Sequence, residues 1–328
     1  MKIALDAMGG DHAPAVVVEG AVRAATEYGA EILLVGRGAD VAPLLAKAGG
    51  PFPGIELVEA PEVVTMDDQP AQAVRQKRGA SLVVCAELLK EGKASALVSA
   101  GNTGASMIVS TLTLGRIRGI DRPALATIIP NRDGLTVLLD SGANVDISPH
   151  CLQQFGIMGS IYSRELLGVQ EPRVGLLNIG EEEGKGNDQV KEAYPLLQAA
   201  PIRFIGNVEG RDLLNGRVDV AVCDGFVGNI ALKVCEGVAE FFFNFIRDEL
   251  ERQPVFKAPA ALLKPVFERM KRRTDYRERG GAPLLGVNGV CIICHGSSNA
   301  IAIANAVRTA GEAVRHGIID KIREQAAI

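Results

Sequence analysis

Short apolar runs alternate with helix-like patterns along most of this 328-residue chain. The runs have the length and the Val, Ile and Leu content of buried strands. The stretches between them carry apolar residues at the spacing of amphipathic helices. This alternation predicts an α/β fold with a mainly parallel sheet covered by helices. The predicted strands are residues 2–7, 31–35, 55–59, 96–99, 125–129, 136–139, 174–179, 203–206, 218–223 and 289–294. The clearest predicted helices are residues 13–28, 103–114, 149–167 and 297–315.

One region, residues 237–280, departs from this alternation. It begins with a phenylalanine-rich run and is interrupted by Pro254, Pro259 and Pro265. Over residues 261–273 the apolar side chains then fall on one side of a predicted helix. We expect a helical, amphipathic insert within a single domain that spans residues 1–328, because no Pro- or Ser-rich linker divides the chain.

The same region concentrates positive charge on an acidic protein. Residues 257–279 contain eight Lys or Arg and three Asp or Glu, a net charge of +5, whereas the whole chain has a net charge of −4. A basic amphipathic helix is typical of a surface that binds an anionic membrane or a partner protein. A helical hairpin packed on the core or on a dimer mate gives the same pattern, so both interpretations stay open at this point.

The overall composition argues against several classes of protein. Its acidic balance argues against general nucleic-acid binding. No apolar run reaches the ~18 residues of a membrane-spanning helix. Asp6 comes too early for a signal peptide, so we expect a cytoplasmic protein. The six cysteines show no disulfide pattern. Cys291 and Cys294 have the spacing of a haem attachment motif, but a strand would send them to opposite faces, which favours buried reduced thiols.

The most informative segment is residues 178–188, NIGEEEGKGND, between a predicted strand and a predicted helix. Its three glycines and Lys185 are typical of a loop that presents backbone N–H groups and one cation to a phosphate. Gly180 and Gly184 enclose only three residues, and Gly186 follows the lysine where a Walker motif would have Ser or Thr. The segment therefore predicts anion binding without a nucleoside triphosphate site. A glycine-rich surface turn with a solvated lysine is the alternative.

Polar segments follow several other predicted strands, at residues 6–14, 99–105, 139–146, 223–230 and 295–300. Because parallel α/β folds bind ligands at the carboxyl ends of their strands, we expect these loops to form one phosphate-binding site. The Gly36-Arg37-Gly38 segment lacks the third glycine of a dinucleotide fingerprint. The chain also has no Gly-x-Ser-x-Gly nucleophile elbow and no His-Glu-x-x-His zinc motif. We therefore expect no cofactor and no metal.

Several of these segments resemble one known family, the bacterial phosphate acyltransferases that use acyl carrier protein as the acyl donor. The resemblance runs in order from residue 1 to the last predicted helix, through MKIALDAMGGDHAP at residues 1–14, SAGNTG at 99–104, LDSGAN at 139–144, residues 180–188, CDGFVGN at 223–229 and LLGVNG at 284–289. It implies a three-layer α/β/α homodimer, similar in fold to isopropylmalate dehydrogenases and phosphotransacetylases.

The resemblance also implies an activity and its setting. Acyl-(acyl carrier protein) reacts with inorganic phosphate to give an acyl phosphate and the free carrier. The acyl phosphate then enters phospholipid synthesis through a membrane glycerol-3-phosphate acyltransferase. The family attaches peripherally to the anionic inner face of the cell membrane through an amphipathic tip. The matching side chains here are Val255, Phe256, Leu262, Leu263, Val266 and Phe267.

The resemblance maps the family's catalytic lysine and asparagine to Lys185 and Asn229. The polar loops supply the expected substrate- and phosphate-binding residues Asp6, Gly9, Gly10, His12, Asn102, Thr103, Gly104, Asp140, Asn144, Gly184, Gly186 and Asp224. We expect phosphate to attack the thioester directly, because no Ser or Cys stands in a recognisable nucleophile setting. The alternatives are a transacylase that uses acyl-coenzyme A, an NAD-dependent decarboxylating dehydrogenase on a similar fold, and a catalytically silent membrane scaffold.

Overall fold

A computed structural model describes residues 1–252, 255, 257–274 and 280–326. Its strands form one 11-stranded sheet with the order β3-β2-β1-β4-β11-β10-β5-β6-β9-β7-β8. The strand bounds are β1 Lys2–Asp6, β2 Glu31–Gly36, β3 Ile55–Glu59, β4 Ala96–Ser99, β5 Ala124–Pro130, β6 Leu135–Leu139, β7 Arg173–Leu177, β8 Arg203–Val208, β9 Val220–Val222, β10 Ala282–Leu285 and β11 Val290–Ile293.

Helices cover both faces of this sheet and complete three layers. Successive side chains of β1 show the alternation, because Ile3 and Leu5 join the core beneath α1, α6 and α11, whereas Ala4 joins the core beneath α4 and α5. The helix bounds are α1 Ala15–Tyr28, α2 Gly38–Lys47, α3 Pro70–Gln76, α4 Ser81–Lys90, α5 Thr103–Leu114, α6 Pro149–Leu167, α7 Asp188–Ala199, α8 Asp212–Asn215, α9 Gly225–Arg252, α10 Lys257–Thr274, α11 Ala300–Arg315 and α12 Ile318–Ala326. The predicted α/β fold is confirmed.

The strands do not all point the same way, and this affects where their loops lie. Strands β1 to β4 and β11 are joined by parallel pairings, and so are β6 to β9. Between the two sets, β10 is antiparallel to β11 and to β5, and β5 is antiparallel to β6. The two sets therefore run in opposite directions, and their carboxyl ends lie on opposite rims of the sheet. The expectation that all six polar loops meet at one rim is wrong.

The sequence pattern located most elements but missed the strand β10 and the exact start of helix α11. The strand β10 was not predicted, because four residues within a glycine-rich stretch carry little periodicity. Helix α11 begins at Ala300 rather than at residue 297, since the Asn299 side chain accepts a hydrogen bond from the Ala302 amide and caps it. The cysteine interpretation is confirmed, because Cys291 and Cys294 are unpaired, buried and in different cores.

The phenylalanine-rich region forms two long helices. Helix α9 runs unbroken from Gly225 to Arg252, so residue 237, where the insert was expected to start, lies inside a helix. Helix α10 contains the predicted amphipathic segment, with Leu262, Leu263 and Val266 exposed. Val255 is also exposed, Phe267 is partly buried, and Phe256 lies outside the described residues. In the described part of the chain, no helix is long and apolar enough to cross a bilayer.

Candidate active site

The loops after β1, β4 and β11 form one group, which we call the Asp6 cluster (residues 6–12, 99–104 and 295–298). The Asp11 amide donates to the Gly296 carbonyl at 2.9 Å, and Gly9 lies against the Gly101 backbone. Gly10 has a φ of +115° and faces the Gly296 carbonyl oxygen. These contacts join three loops into one packed unit at the end of the parallel strands.

A buried carboxyl group holds this cluster together. Asp6 is 2% exposed and accepts hydrogen bonds from the Ser81 hydroxyl at 2.6 Å and the Ser99 hydroxyl at 2.7 Å. Burial raises the pKa of Asp6, while the hydrogen bonds from Ser81 and Ser99 work in the opposite direction. Because Asp6 lies behind the loop and has these internal partners, it fixes the turn rather than contacting a ligand.

The other predicted residues of the Asp6 cluster surround the start of α5. Asn102 caps this helix by accepting from the Ala105 amide at 3.0 Å, and its amide group donates to the Met66 carbonyl at 3.1 Å. Thr103 is the exposed first residue of the helix, and Gly104 lies against Pro70. His12 is exposed on the loop after β1. Asn102 therefore uses both ends of its side chain within the protein.

The loops after β6, β7 and β9 form a second group, the Asp140 cluster (residues 140–147, 178–189 and 223–229). Gly225 donates its amide hydrogen to the Asn144 carbonyl at 2.6 Å, and the Gln189 side chain donates to the Ile147 carbonyl at 2.6 Å. These two hydrogen bonds connect the loop after β6 with both other loops. The cluster contains Lys185 and Asn229, the two positions to which the family resemblance maps a catalytic lysine and asparagine.

Asp140 organises the first loop of this cluster in the way that Asp6 organises the other. Its carboxylate accepts from the amides of Leu125, Gly142, Ala143 and Asn144 at 2.7–3.2 Å. The Asn144 side chain also donates to it at 2.8 Å. Burial raises the pKa of Asp140, whereas these hydrogen bonds lower it. Asp140 therefore folds the turn, and Asn144 is bound within the protein through Asp140 and the Pro123 carbonyl.

The loop after β9 leads into α9 and places Asn229 at the start of its second turn. The Asp224 carboxylate caps the helix by accepting from the amides of Phe226 and Val227 at 2.8 and 2.9 Å. A Cβ atom at Gly228 would overlap the Asp140 carbonyl oxygen, so this turn packs directly on the Asp140 loop. The Asn229 amide group lies over Gly142 and is exposed. It has no hydrogen-bond partner among the residues that the structure describes.

The loop that carries Lys185 is held at its backbone by two asparagines. The Asn178 side chain donates to the Lys185 carbonyl at 3.0 Å. The Asn207 side chain donates to the Glu182 carbonyl at 2.8 Å, and the same carbonyl accepts from the Lys185 amide at 3.1 Å. Gly186 has a φ of +95° and leaves no room for a Cβ atom beside Asn178, so this position requires glycine. The backbone of Lys185 is thus fixed on both sides.

The side chain of Lys185 remains exposed and has no ion-pair partner within the described ranges. Its aliphatic stem passes over Gly180, and the neighbouring Glu181 is already paired with both guanidinium nitrogens of Arg217 at 2.6 and 2.9 Å. Gly184 has open space around it. The loop therefore offers a cation and open backbone to an anion. The Asn187 side chain caps the following helix α7.

Sequence reasoning missed three residues that support these clusters. Asn178 directly follows β7, and Asn207 lies near the end of β8. Both could have been included among the polar residues at strand ends. Ser81 gave no signal, because its contact with Asp6 joins residues 75 positions apart. Across the described residues, no group of three or more His, Cys, Asp or Glu side chains is arranged to hold a metal ion.

The buried thiol of the Asp140 cluster is poorly suited to be a nucleophile. The Cys223 sulfur lies 3.5 Å from the Asp140 carbonyl oxygen. Burial, together with the charges of Asp140 and Asp224, raises the pKa of this thiol well above its ordinary value. A thiolate is the reactive form of cysteine, so Cys223 is held in its unreactive form at neutral pH. Lys185 and Asn229, in contrast, are exposed donors of this cluster.

Comparisons with known proteins bear on the family and the fold of this chain. A sequence profile of the fatty acid synthesis protein family matches residues 1–321. The phosphate acyltransferase of Pelotomaculum thermopropionicum is 53% identical over 325 residues, covering 98% of this chain and 94% of the relative. That of Heliobacterium modesticaldum is 55% identical over 325 residues, covering 99% of this chain and 97% of the relative.

Solved structures with the same fold are more distant in sequence. A phosphotransacetylase from Streptococcus pyogenes superposes with a TM-score of 0.68 at 18% identity, covering 96% of this chain and 94% of that chain. A 4-hydroxythreonine-4-phosphate dehydrogenase from Klebsiella pneumoniae gives a TM-score of 0.51 at 14% identity, covering 99% of both chains. These two confirm the fold alone, whereas the sequence relatives confirm the resemblance to an acyltransferase. The chain belongs to the fatty acid synthesis protein family and groups there with the phosphate acyltransferases.

Proposed function

We propose that this chain transfers a fatty acyl group from acyl-(acyl carrier protein) to inorganic phosphate, and that the reaction takes place at the Asp140 cluster. The observation that carries the proposal is the pair of exposed donors, Lys185 and Asn229, on loops whose backbones are fixed by internal hydrogen bonds. Fixed donors without internal partners can bind a ligand with little reorganisation. The relatives named phosphate acyltransferase support the same chemistry.

The reaction needs one bond to form and one to break. A phosphate oxygen attacks the thioester carbonyl carbon, the carbon–sulfur bond breaks, and the carrier thiol leaves with a proton that phosphate can supply. The Lys185 ammonium offsets the charge of phosphate and of the developing oxyanion. The Asn229 amide group donates to the phosphate or carbonyl oxygen. One well-placed oxyanion donor is commonly worth about 3–4 kcal/mol of the barrier.

The backbone also contributes to phosphate binding in this proposal. The open backbone at Gly184 and the positive-φ turn at Gly186 lie beside Lys185, where a small anion can approach closely. Asp140 and Asp224 hold their loops in this proposal and are not assigned the role of general base, because both carboxylates accept hydrogen bonds from backbone amides of their own loops. Phosphate carries its own proton, so the reaction does not require a protein base.

Replacing the two donors tests this assignment. Folded Lys185→Ala and Asn229→Ala proteins should each lose about 100-fold or more in acyl phosphate formation. Phosphate-dependent release of free carrier from acyl-(acyl carrier protein) is the measurement. The matched control is Lys191→Ala, a lysine on α7 outside the Asp140 loops. Near-normal turnover in both donor variants would rule out this site, and an acyl group trapped on Cys223 would rule out direct attack.

The same measurement separates the alternatives. An enzyme specific for acyl-coenzyme A would release coenzyme A and leave acyl-(acyl carrier protein) unchanged. A dehydrogenase would change nicotinamide absorbance, a possibility raised by the fold it shares with the Klebsiella protein. A silent scaffold would show no phosphate-dependent release at all. The acyl phosphate product would serve a membrane glycerol-3-phosphate acyltransferase, which completes the proposed place in phospholipid synthesis.

We further propose that the two long helices form a homodimer contact and a membrane tip. Helix α9 exposes an apolar stripe that recurs every three to four residues, and a second copy of the chain would cover it. The stripe consists of Phe226, Ile230, Val234, Val238, Phe241 and Phe245. A Val234→Glu, Phe241→Glu protein should sediment as a monomer, and an unchanged sedimentation coefficient would exclude this contact.

The membrane part of the proposal rests on α10. Leu262 is 82% exposed, and Val255 is 74% exposed at the turn before the helix. Apolar side chains on a basic helix bind anionic lipid surfaces through burial and charge together. We propose peripheral attachment to the inner face of the cell membrane, with the enzyme otherwise in the cytoplasm. A Leu262→Glu, Val266→Glu protein should no longer co-sediment with anionic phospholipid vesicles, and unchanged co-sedimentation would exclude this surface.

A further inference from the structure

A loop rich in arginine lies beside the Asp140 cluster and takes no part in the chemistry proposed above. We call residues 115–123 the arginine loop, because it carries Arg116, Arg118 and Arg122. Its last residue, Pro123, accepts a hydrogen bond from the Asn144 side chain at 2.7 Å. The loop therefore directly adjoins the loop after β6, over which the Asn229 side chain lies.

The arginine loop is pinned to the protein by its apolar and backbone groups. Ile117 and Ile120 are buried, and the Ile117 amide donates to the Gly286 carbonyl at 2.9 Å. The Gln154 side chain donates to the Gly119 carbonyl at 2.7 Å and accepts from the Asp121 amide at 2.9 Å. With the isoleucines directed inward, the loop holds its arginines on the outside in a fixed frame.

Two of these arginines have no internal role. Arg118 and Arg122 are exposed and form no ion pair with any residue that the structure describes. The one acidic residue of the loop is Asp121, and its carboxylate oxygen Oδ2 lies 3.0 Å from Nδ1 of His150. Three arginines and one aspartate give the loop a net charge of +2 on a chain whose net charge is −4. The result is a rigid positive patch at the edge of the proposed reaction site.

We infer that the arginine loop docks the acidic surface of the acyl carrier protein, an inference that rests on the proposed function. The donor in that function is a thioester attached to a strongly acidic protein, and a positive patch beside the reaction site provides the complementary charge. Such patches speed the encounter with a partner protein and set its orientation, and they have less effect on the activation barrier of the reaction. An anionic membrane is the weaker candidate, because the loop exposes no large apolar side chain that could enter a bilayer.

The test measures binding of fluorescently labelled acyl carrier protein to the full-length enzyme. An Arg118→Ala, Arg122→Ala variant should bind the carrier about tenfold more weakly at low salt, and the difference should shrink as salt rises. The matched control is Lys47→Glu, which changes the net charge by the same −2 at an exposed position on α2. An Arg118→Lys, Arg122→Lys variant should recover most of the affinity, because it restores the charge.

Each further outcome decides one part of the inference. Equal affinity in the double alanine variant, or an equal loss in Lys47→Glu, would overturn docking at the arginine loop while leaving the acyl transfer reaction intact. Loss of binding to anionic phospholipid vesicles without loss of carrier binding would assign the loop to the membrane instead. Failure of the unmodified enzyme to release free carrier from acyl-(acyl carrier protein) would instead contradict the proposed function. Circular dichroism melting curves confirm that each variant is folded.

Discussion

In the Asp6 cluster, a buried carboxyl group accepts hydrogen bonds from Ser81 and Ser99, two hydroxyl groups distant in sequence. In the Asp140 cluster, a second buried carboxyl group accepts them from the amides of its own turn and from the Asn144 side chain. Both carboxyl groups end a strand and fold a glycine-containing loop. Asp6 also accepts from the Met8 amide of its own turn, and Asp140 also accepts from the Leu125 amide on β5, each at 3.1 Å. The two hydroxyl groups nevertheless connect Asp6 to α4 and β4, whereas most partners of Asp140 belong to the one loop against which α9 packs.

The clusters differ most in the side chains that remain available to a ligand. Asn102 in the Asp6 cluster is occupied at both ends, by the α5 amide and by the Met66 carbonyl. Lys185 and Asn229 in the Asp140 cluster are exposed and without internal partners among the described residues. A polar strand end therefore identifies a candidate loop, and only the hydrogen bonds show whether its side chains hold the fold or face a ligand.

Removing the two carboxyl groups should produce the largest effects and should separate the clusters. Asp140→Ala leaves the buried Leu125 amide and the part-buried amides of Gly142, Ala143 and Asn144 without their acceptor, so the free energy of unfolding should fall by about 3–4 kcal/mol. The turn beneath Asn229 then loses its shape, and acyl phosphate formation should be lost with it. Urea unfolding and phosphate-dependent carrier release measure the two effects.

Asp6→Ala provides the contrast. It leaves the Ser81 and Ser99 hydroxyl groups buried without their acceptor, which should cost about 2–3 kcal/mol of unfolding free energy. Because Asp6 does not adjoin the exposed donors, its loss should lower the activity per folded molecule less than Asp140→Ala does. An equal loss of activity would place the Asp6 cluster in the reaction site and contradict its purely structural role.

The sequence predicted the layers of the fold and the importance of the strand ends, because periodicity and turn residues are local properties. It could not predict that the two strand sets run in opposite directions, since this depends on the antiparallel pairings of β10 and β5. It identified Lys185 and Asn229 through the family resemblance. Asn102 precedes a predicted helix and is a residue type that caps helices, so its contact with the Ala105 amide could be expected from the sequence. Its second contact, with the Met66 carbonyl, and the contacts of Asn144 with Asp140 and Pro123 depend on the tertiary fold.

The two glycines that flank Lys185 give the next largest effect. Gly186→Ala forces a side chain into positive φ and against Asn178, so unfolding free energy should fall by about 2 kcal/mol. The contact between Asn178 and the Lys185 carbonyl should be lost as well, which lowers turnover. Gly184→Ala meets no neighbouring atom and should leave stability unchanged. Any rise in the phosphate KM of Gly184→Ala would then report ligand contact, and equal instability of both variants would refute the described loop geometry.

Asn207→Leu tests whether the Lys185 loop needs its second asparagine. The Asn207 side chain is 2% exposed, and its side-chain oxygen has no hydrogen-bond partner in the described part of the chain, so a leucine removes an unpaired buried group and should cost little stability. Loss of the hydrogen bond to Glu182 should lower kcat about tenfold by loosening Lys185. In a Lys185→Ala background the same change should have no further effect, because it acts through that lysine.

A matched asparagine separates this effect from general loop destabilisation. Asn131 holds the turn between β5 and β6 with comparable hydrogen bonds, at the end of β6 opposite Asp140. Asn131→Leu should lower the melting temperature without a change in kcat at a temperature where the protein is folded. Additive losses in the Asn207→Leu, Lys185→Ala double variant would show that Asn207 acts independently of the lysine.

The smallest effect is a pH dependence of stability that distinguishes the Asp6 carboxyl group from an ion-paired one. Burial raises the pKa of Asp6 above its unfolded value. The Asp6 carboxyl group therefore binds a proton more tightly in the folded state than in the unfolded state. The stability that this protonated carboxyl group contributes is fully present below the unfolded pKa and is lost as pH rises through the folded pKa. Chemical unfolding of the wild type from about pH 4 upward should show this fall relative to Asp6→Asn, which cannot ionise.

Asp219 should show the opposite sign. Burial would raise the pKa of its carboxyl group, but the Arg173 guanidinium, which binds it through two hydrogen bonds of 2.8 and 2.9 Å, holds the pKa below its usual value. Its stabilisation is present above the unfolded pKa and is lost as pH falls through the folded pKa. Cys85 near Asp6 stays protonated across this range, because burial raises the pKa of its thiol. If Asp6→Asn and Asp219→Asn changed the pH profile in the same direction, Asp6 would be acting as an ion-paired carboxylate rather than as a buried, hydroxyl-bound one.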